Sequence, residues 1–251
     1  MSGERFTPRM FIDWWAKEQG RTVQDFGVSP IVLVSWHLTS IQTLAEAVGA
    51  EMPKDWFYGK RYPMYTGQIG GQSVPFAFLP VGAPGTIMMM EEMIASGARI
   101  FIGFGYCGSL QENLTVGSLI IPTSCKIEEG TSPHYLDKNT TIGPTQRLVE
   151  ILEESCREEG IKPQKGPVWT TDAPYKETVE KIAKYHDEGI LGVDMETSAM
   201  YTLGHVREVS VCNLLVVSDE LCNKWDPAFG TTRLREAAER ARQVILRTLR
   251  K

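Results

Sequence analysis

The chain has 251 residues, of which 42% are hydrophobic and 23% are charged, and its formal net charge is −5. A chain of this length and composition buries a sizeable core without help from disulfides or metals. No apolar run reaches the roughly 18 residues of a membrane-spanning helix, and the start of the chain lacks the basic and apolar blocks of a signal peptide. We therefore expect neither a membrane protein nor an exported one, and the acidic balance argues against nucleic-acid binding.

The cysteines are odd in number and widely spaced, without a CxxC pair or a histidine cluster. This pattern predicts no disulfide framework and no zinc site, and it favours a reducing, cytoplasmic location. The cysteines are Cys107, Cys125, Cys156, Cys212 and Cys222.

The first predicted element is an amphipathic helical segment, Arg9–Gln19, which contains Phe11, Trp14 and Trp15. Adjacent tryptophans on a short terminal helix either dock on the core of their own chain or contact a neighbouring subunit or ligand. We expect residues 1–28 to form a helical extension and residues 29–251 to form one domain, since no repeat or composition shift divides them. The longest linker-like stretch within that domain is Trp225–Thr232.

Short β-branched runs that end at turn residues predict the strands. Several of these runs are apolar on both faces, as in strands that are covered by helices. In chain order they are Ile31–Val34, Tyr65–Ile69, Val74–Leu79, Arg99–Phe104, Ser118–Ile121, Lys126–Glu129, Val168–Thr171, Leu191–Val193 and Val211–Val217.

Helical patterns alternate with these strands, which predicts a three-layer α/β/α fold. The second and third strands are joined through Gly70 and Gly71, which predicts a hairpin and therefore a mixed central sheet. In the last helix, apolar residues recur every three or four positions and form one stripe. The predicted helices are Thr39–Val48, Gly85–Ser96, Thr145–Glu158, Lys176–Asp187, Met195–Leu203 and Arg233–Leu249.

The segment Gly103–Gly108 matches the GxGxxG pattern of dinucleotide-binding folds, and Glu128 follows where such folds place the acid that binds ribose. In those folds the glycines open a helix whose N-terminus faces the pyrophosphate. Here the chain passes from Ser109 through a polar turn into another predicted strand. We therefore interpret the segment as a glycine-rich strand end that a ligand can approach closely.

Acidic residues follow two further strands. Asp194 and Glu196 lie where a buried strand turns into a helix, so that free N–H groups and the helix dipole attract their charge. Asp219 follows an apolar strand, at the carboxyl edge where open α/β sheets bind ligands. Each acid alone can be explained as a helix cap or a turn residue. Together with the glycine-rich strand end, they predict a small-molecule site.

Six segments of the chain resemble, in order, the signature stretches of the nucleoside phosphorylase and uridine phosphorylase superfamily, over roughly residues 30 to 250. Glu129–Tyr135 is most similar to the uridine branch, whereas Ser218 and Asp219 are more similar to the purine-cleaving branches. The segments are Gly105-Tyr-Cys-Gly-Ser-Leu-Gln111, Val116-Gly-Ser-Leu-Ile-Ile121, Glu129-Gly-Thr-Ser-Pro-His-Tyr135, Thr171-Asp-Ala-Pro-Tyr175, Val193-Asp-Met-Glu-Thr-Ser-Ala199 and Val217-Ser-Asp219.

The resemblance implies a nucleoside phosphorylase-like fold and an enzyme that cleaves the N-glycosidic bond of a ribonucleoside. Met195 would contact the sugar, Glu196 would accept hydrogen bonds from its 2′ and 3′ hydroxyls, and Asp219 would be the general acid at purine N7. The sugar gains positive charge and the base gains negative charge as the bond breaks, so both carboxyl groups suit the transition state. The other implied substrate contacts are Asp194, Tyr106, Cys107, Gly108, Thr171, Pro174, Tyr175 and Ser218.

Cys107 has no histidine positioned by the sequence to activate it, so we interpret it as lining the pocket rather than as a nucleophile. The segment Thr171–Thr178 contains no Arg or Gln to bind the carbonyl oxygens of a pyrimidine. The sequence therefore predicts a preference for purine nucleosides over uridine.

The nucleophile is left open. Phosphorolytic relatives bind phosphate with three groups: an Arg in the loop after the first strand, an Arg before the glycine motif and a hydroxyl within that motif. In this chain the first loop, Ser35–Ser40, has no Arg. The position of the second Arg falls at Gly103 or Phe104, and the position of the hydroxyl falls at Tyr106. Lys60 or Arg61 stands where the family borrows an Arg from a neighbouring subunit, and Gly105 offers backbone contacts. Hydrolytic relatives have a glutamate in the first loop, where this chain has only His37, either a general base or a structural histidine.

Three functions follow: phosphorolysis with phosphate as co-substrate, which the resemblance favours, hydrolysis, and nucleoside or nucleotide binding with little catalysis. We expect no cofactor and no metal. Because the family shares its sites between subunits, and because Trp14, Trp15, Trp56 and Phe57 fall in segments expected at the surface, we also expect a homo-oligomer, a dimer or a hexamer.

Overall fold

Strands and helices alternate along the chain in a computed structural model that describes residues 3–137 and 140–251. The helices are α1 Pro8–Glu18, α2 Leu38–Ala47, α3 Ala83–Ala95, α4 Gln146–Glu158, α5 Val179–Asp187, α6 Thr197–Arg207 and α7 Thr232–Thr248. The strands are β1 Ile31–Ser35, β2 Met64–Ile69, β3 Gln72–Phe78, β4 Ile100–Ser109, β5 Leu119–Glu128, β6 Gln164–Thr171, β7 Gly192–Asp194, β8 Ser210–Glu220 and β9 Asp226–Pro227. Across the described ranges, no helix has the length and apolarity needed to cross a membrane.

The strands form a nine-stranded mixed sheet in the order β2-β3-β1-β4-β7-β6-β5-β8-β9. The predicted hairpin is confirmed, because β2 and β3 pair antiparallel on either side of Gly70 and Gly71. Strand β4 also pairs with β8. This extra pairing closes β4, β7, β6, β5 and β8 into a ring, with β1, β3 and β2 extending from β4.

Helices cover both faces of the sheet, which confirms the three-layer α/β/α architecture. On β1, Leu33 packs toward α2, α4 and α7, whereas Val32 and Val34 pack toward α3 and α6. Such two-sided burial explains why the strand sequences are apolar throughout. Helix α1 lies against α3 and buries Ile12 beside Phe26.

Strand β4 runs through the whole of Gly103–Gly108 and ends at Ser109. The glycine pattern is therefore the interior of a strand and opens no helix, which excludes a dinucleotide loop. Strand β5 is also longer than predicted: Ser118–Ile121 and Lys126–Glu129 belong to one strand. A shift of its register against β6 between Pro122 and Ser124 carries it past the proline.

Other boundaries differ where short-range contacts override the pattern. Helix α6 begins at Thr197 rather than Met195, and α5 begins at Val179, after a 3₁₀ turn over Pro174–Lys176. The stretch predicted as a linker starts with β9, which pairs with the end of β8, so that Asp219 lies within a strand rather than after one.

The prediction of a surface position for Trp56 is wrong. This residue is buried, and its indole N–H donates a 2.6 Å hydrogen bond to the carbonyl oxygen of Tyr62. Phe57 and Trp15 are half-buried, and Trp14 is 53% exposed. An argument for subunit contacts from these aromatic residues therefore rests mainly on Trp14.

Candidate active site

The ends of β4, β7 and β8 bring the predicted acids together. Strand β8 runs parallel to β4 and places Asp219 opposite Gly108. Strand β7 runs antiparallel to β4 but pairs only with its end, where Val193 lies opposite Gly108. The sequence predicts that the acids meet where parallel strands end at one edge of an open sheet. In the structure they meet instead because β4 pairs with both β7 and β8 and closes the ring.

Cys107 is buried on β4, opposite Val217 of β8. Burial of its thiol, followed by the negative charges of Asp194 and Asp219, raises the pKa of Cys107 well above its ordinary value. A thiol that resists ionisation is a poor nucleophile. This supports the interpretation of Cys107 as a residue that lines the site.

Asp194 fixes the turn from β7 into α6. Its Oδ1 accepts a 2.7 Å hydrogen bond from the Thr170 hydroxyl, and its Oδ2 accepts one from the backbone N–H of Thr197 at 3.0 Å. The Thr197 hydroxyl also donates to Oδ2. With these donors satisfied, Asp194 holds Met195 and Glu196 in place immediately before the helix.

Glu196 is buried and accepts a 2.6 Å hydrogen bond from the backbone N–H of Gly82, at the start of α3. Gly82 has a φ of 96°, a conformation that favours glycine. Burial, followed by the charge of Asp194, raises the pKa of Glu196 to about 8, and the Gly82 N–H opposes this shift. A carboxyl group held at a helix N-terminus in this way is placed to gain charge when a positive partner arrives.

The raised pKa of Glu196 predicts a cost in stability. Because Glu196 ionises more easily in the unfolded chain, its contribution is complete below its ordinary pKa of 4.5 and is lost as pH rises through about 8. We expect Glu196→Gln to increase the free energy of unfolding by about 2–4 kcal/mol at pH 8 and by little at pH 4. Denaturant titrations across this pH range measure the difference, and a difference that does not change with pH would contradict the prediction.

Asp219 is held by two donors. Its Oδ1 accepts a 2.8 Å hydrogen bond from the Ser218 hydroxyl, and its Oδ2 accepts a 2.9 Å hydrogen bond from the indole Nε1 of Trp225. A Cβ on Gly108 would lie 2.6 Å from Leu221 Cδ1 and 3.4 Å from Asp219 Oδ2, so a larger residue requires Leu221 to move. Trp225 reaches Asp219 because the β8–β9 hairpin folds back.

Glu177 is a further acid at the same place. It follows the 3₁₀ turn over Pro174–Lys176 and is half-buried. Burial, followed by the charge of Asp219, raises the pKa of Glu177 to about 7. Sequence analysis missed both Glu177 and Trp225, because neither lies at a strand end that the pattern reveals.

The loop after β1 places aromatic rings beside the glycine motif. The indole of Trp36 lies over Gly105, where a Cβ would be 3.2 Å from its ring carbons, and its Nε1 donates to the Thr86 hydroxyl at 2.7 Å. Tyr106 lies on the other side of β4, with its ring 5.1 Å from that of His37. Ser40 joins these two, 3.0 Å from His37 Nδ1 and 3.3 Å from the Tyr106 hydroxyl.

His37 caps the N-terminus of α2 through its Nδ1. Partial burial and the charge of Arg242 lower the pKa of His37, so that the ring is neutral at pH 7. These contacts account for His37 as a structural residue.

The position expected for a phosphate-binding arginine is closed at Gly103. A Cβ there would lie 2.5 Å from Asn213 Oδ1 and 3.1 Å from Met200 Sδ, so a larger side chain requires the buried Asn213 to move. Lys60 and Arg61 are exposed, and Arg61 lies 5.6 Å from the centre of the Tyr62 ring. Within residues 3–137 and 140–251, no hydrogen bond or ion pair joins either of them to Asp194, Glu196 or Asp219, so their role stays a prediction.

The remaining predicted substrate contacts differ in how far they are buried. Met195 is half-buried beside Glu196, and Thr171 is buried and accepts a 3.2 Å hydrogen bond from the N–H of Ala173. Tyr175 is fully exposed and turns away from the core. In residues 3–137 and 140–251, no group of three or more His, Cys, Asp or Glu side chains is placed to hold a metal ion.

The family profile of the phosphorylase superfamily matches residues 32–250, and the chain belongs to this superfamily. Among curated relatives, it is 24% identical over 158 residues to a guanosine phosphorylase of Halorubrum lacusprofundi, a match that covers 62% of this chain and 66% of that protein. It is 30% identical over 164 residues to a DeoD-type purine nucleoside phosphorylase of Bacillus cereus, covering 62% and 68%. The match to the first thus spans just under two thirds of the relative's length.

Solved structures share the fold. A uridine phosphorylase from Vibrio fischeri ES114 superposes with a TM-score of 0.79 at 23% identity, covering 90% of this chain and 93% of that one. A purine nucleoside phosphorylase from Toxoplasma gondii, in complex with immucillin-H, superposes with a TM-score of 0.81 at 22% identity, covering 89% and 91%. At these identities the likeness concerns the fold alone.

Proposed function

We propose that the protein cleaves the N-glycosidic bond of purine ribonucleosides, with phosphate as co-substrate and no cofactor. The observation that carries the proposal is that the strand registers bring two carboxyl groups of different surroundings to the end of β4: Asp219 lies opposite Gly108, and Glu196 follows the short strand β7, whose Val193 also lies opposite Gly108. Glu196 binds the 2′ and 3′ hydroxyls of the sugar. Asp219 lies at the base.

The two acids stabilise opposite charges. As the bond lengthens, the ribose becomes oxocarbenium-like, and Glu196 strengthens its hydrogen bonds to the hydroxyls. With its pKa raised to about 8, part of Glu196 is ionised at neutral pH, and the ionised form is the one that stabilises the sugar. The departing base collects the electron pair of the bond, and a proton delivered through Asp219 to N7 neutralises it.

A purine suits this pocket better than uridine. Asp219, which the proposal puts at the base, accepts from the Trp225 indole, and its charge acts on Glu177. A pyrimidine needs donors at its carbonyl oxygens, and Thr171–Thr178 supplies no Arg or Gln.

Hydrolysis is the second candidate, and the closed position at Gly103 favours it. Losing two charge-assisted contacts to phosphate costs several kcal/mol at roughly 1.5–3 kcal/mol each. Lys60 or Arg61 from another subunit would have to replace them. Incubating the protein with inosine, with and without phosphate, tests both candidates: ribose 1-phosphate indicates phosphorolysis, ribose indicates hydrolysis, and binding without free hypoxanthine contradicts both.

We expect the protein to be a homo-oligomer, either a dimer or a hexamer. Lys60 and Arg61 are exposed and stand where the family borrows an Arg from a neighbouring subunit, and Trp14 offers exposed apolar surface. Light scattering at micromolar concentration measures the assembly, and a monomer would contradict the expectation. The five cysteines are all free, in keeping with the proposed cytoplasmic location.

A further inference from the structure

Trp225 is an exposed aromatic residue whose one polar atom is directed into the site. The residue is 59% exposed, yet its indole N–H donates a 2.9 Å hydrogen bond to Oδ2 of the buried Asp219. Because more than half of the residue is in contact with water, burial of its ring does little to explain its position. The hydrogen bond to Asp219 is the contact that does explain it.

Backbone hydrogen bonds hold the hairpin that carries Trp225. Strand β9 pairs antiparallel with the end of β8, and the N–H of Ala228 donates to the carbonyl oxygen of Ser218 at 3.1 Å. On the other flank, the N–H of Leu221 donates to the carbonyl oxygen of Ser109, at the end of β4, at 3.0 Å. The hairpin is thus fixed on both flanks by its backbone, and the indole adds a contact to one particular side chain.

This contact fixes the orientation of the Asp219 carboxyl group. The bond between Cβ and Cγ of an aspartate turns easily, so a carboxyl group that is held through one oxygen can rotate. The Ser218 hydroxyl has one proton and two acceptors within reach, Asp219 Oδ1 at 2.8 Å and the carbonyl oxygen of Cys107 at 3.2 Å. The indole N–H, by contrast, cannot turn away from Asp219 Oδ2 without moving the whole ring.

We propose that Trp225 is a positioning residue that turns the Asp219 carboxyl group toward N7 of a bound purine. This inference rests on the proposed function. A carboxyl group has room for a further contact when each oxygen accepts one hydrogen bond, so contact with N7 is compatible with both donors. Ser218 and Trp225 are uncharged, so they orient the group without forming an ion pair with it. Trp225 acts on the base only through Asp219.

The first test is a double-mutant comparison with inosine. Trp225→Phe keeps an aromatic ring and removes the N–H, and its kcat should fall about tenfold with KM nearly unchanged, a loss of the size expected for one hydrogen bond. In an Asp219→Asn background the same change should add less than about twofold, because Trp225 acts through that carboxyl group. Phe229→Leu, which removes a 62% exposed ring just after β9, is the matched control and should leave kcat unchanged.

A second ligand, 7-deazainosine, separates orientation of Asp219 from damage to the pocket. It carries a C–H in place of N7, so Asp219 has no partner there. Trp225→Phe should therefore bind this analogue as tightly as the native protein does, measured as its Ki against inosine cleavage. A native kcat in Trp225→Phe, losses that multiply in the double variant, or an analogue bound several-fold more weakly would overturn the inference alone. A native protein that releases no base from inosine, with or without phosphate, overturns the proposed function together with the inference.

Discussion

Replacing Asp219 by Asn lowers kcat/KM for purine nucleosides by about 10²–10⁴-fold, the usual contribution of a general acid. Asn keeps the size of the side chain, and its amide oxygen can still accept from Trp225, but it cannot relay a proton to N7. Release of hypoxanthine from inosine measures the rate. Thermal stability should change little, because the hairpin contact remains.

Asp226→Asn is the matched control for this substitution. Asp226 is an exposed carboxyl group on β9, in the same hairpin, and its replacement should leave the rate unchanged. Two results together would show that Asp219 merely closes the hairpin: an Asn variant that cleaves inosine normally, and a native protein that cleaves uridine faster than inosine or adenosine.

Glu196→Gln is expected to preserve the fold and to lower turnover at least about tenfold. The amide can still accept the N–H of Gly82, but it cannot acquire the negative charge that strengthens against an oxocarbenium-like sugar. The loss should fall on kcat more than on KM, since the charge develops mainly in the transition state. Stopped or continuous assays with inosine at several pH values measure both constants.

Glu236→Gln, an exposed carboxyl group on α7, controls for a general effect of removing one negative charge. If Glu196→Gln turns over at the native rate while Glu236→Gln does the same, Glu196 does not bind the ribose, and the assignment of the sugar site is wrong.

The sequence predicts the architecture well where periodicity and burial coincide. Strand β1 is recognisable because Val32 and Leu33 are both apolar, and the hairpin is recognisable from Gly70 and Gly71. Closure of the ring is not predictable, since it depends on β4 pairing with β8 far along the chain. The two-residue strand β9 is too short to leave any pattern.

The same distinction holds for the site. Asp194, Glu196 and Asp219 follow strands or lie within their ends, so the sequence indicates them. Trp225 and Glu177 are recognisable as site residues only through their relation to Asp219. Each follows a turn that depends on tertiary contacts, so the sequence gives no sign that it lies near Asp219. The sequence shows that Gly103 has no side chain, but it gives no sign that Asn213 occupies the space beside it.

Strand β4 pairs with β8 along its whole length, and on its other side with β1 at Ile100–Phe104 and with β7 at Gly108 and Ser109. Its amide protons should therefore exchange with deuterated water only when the whole protein unfolds, whereas those of the hairpin around Trp225 should exchange through local opening. A nucleoside that binds at Asp219 should slow exchange in the hairpin and leave β4 as it was. Hydrogen exchange thus distinguishes the stable strand β4, which fixes the distance between the sugar and base contacts, from the hairpin around Trp225, which opens locally and lets the base enter.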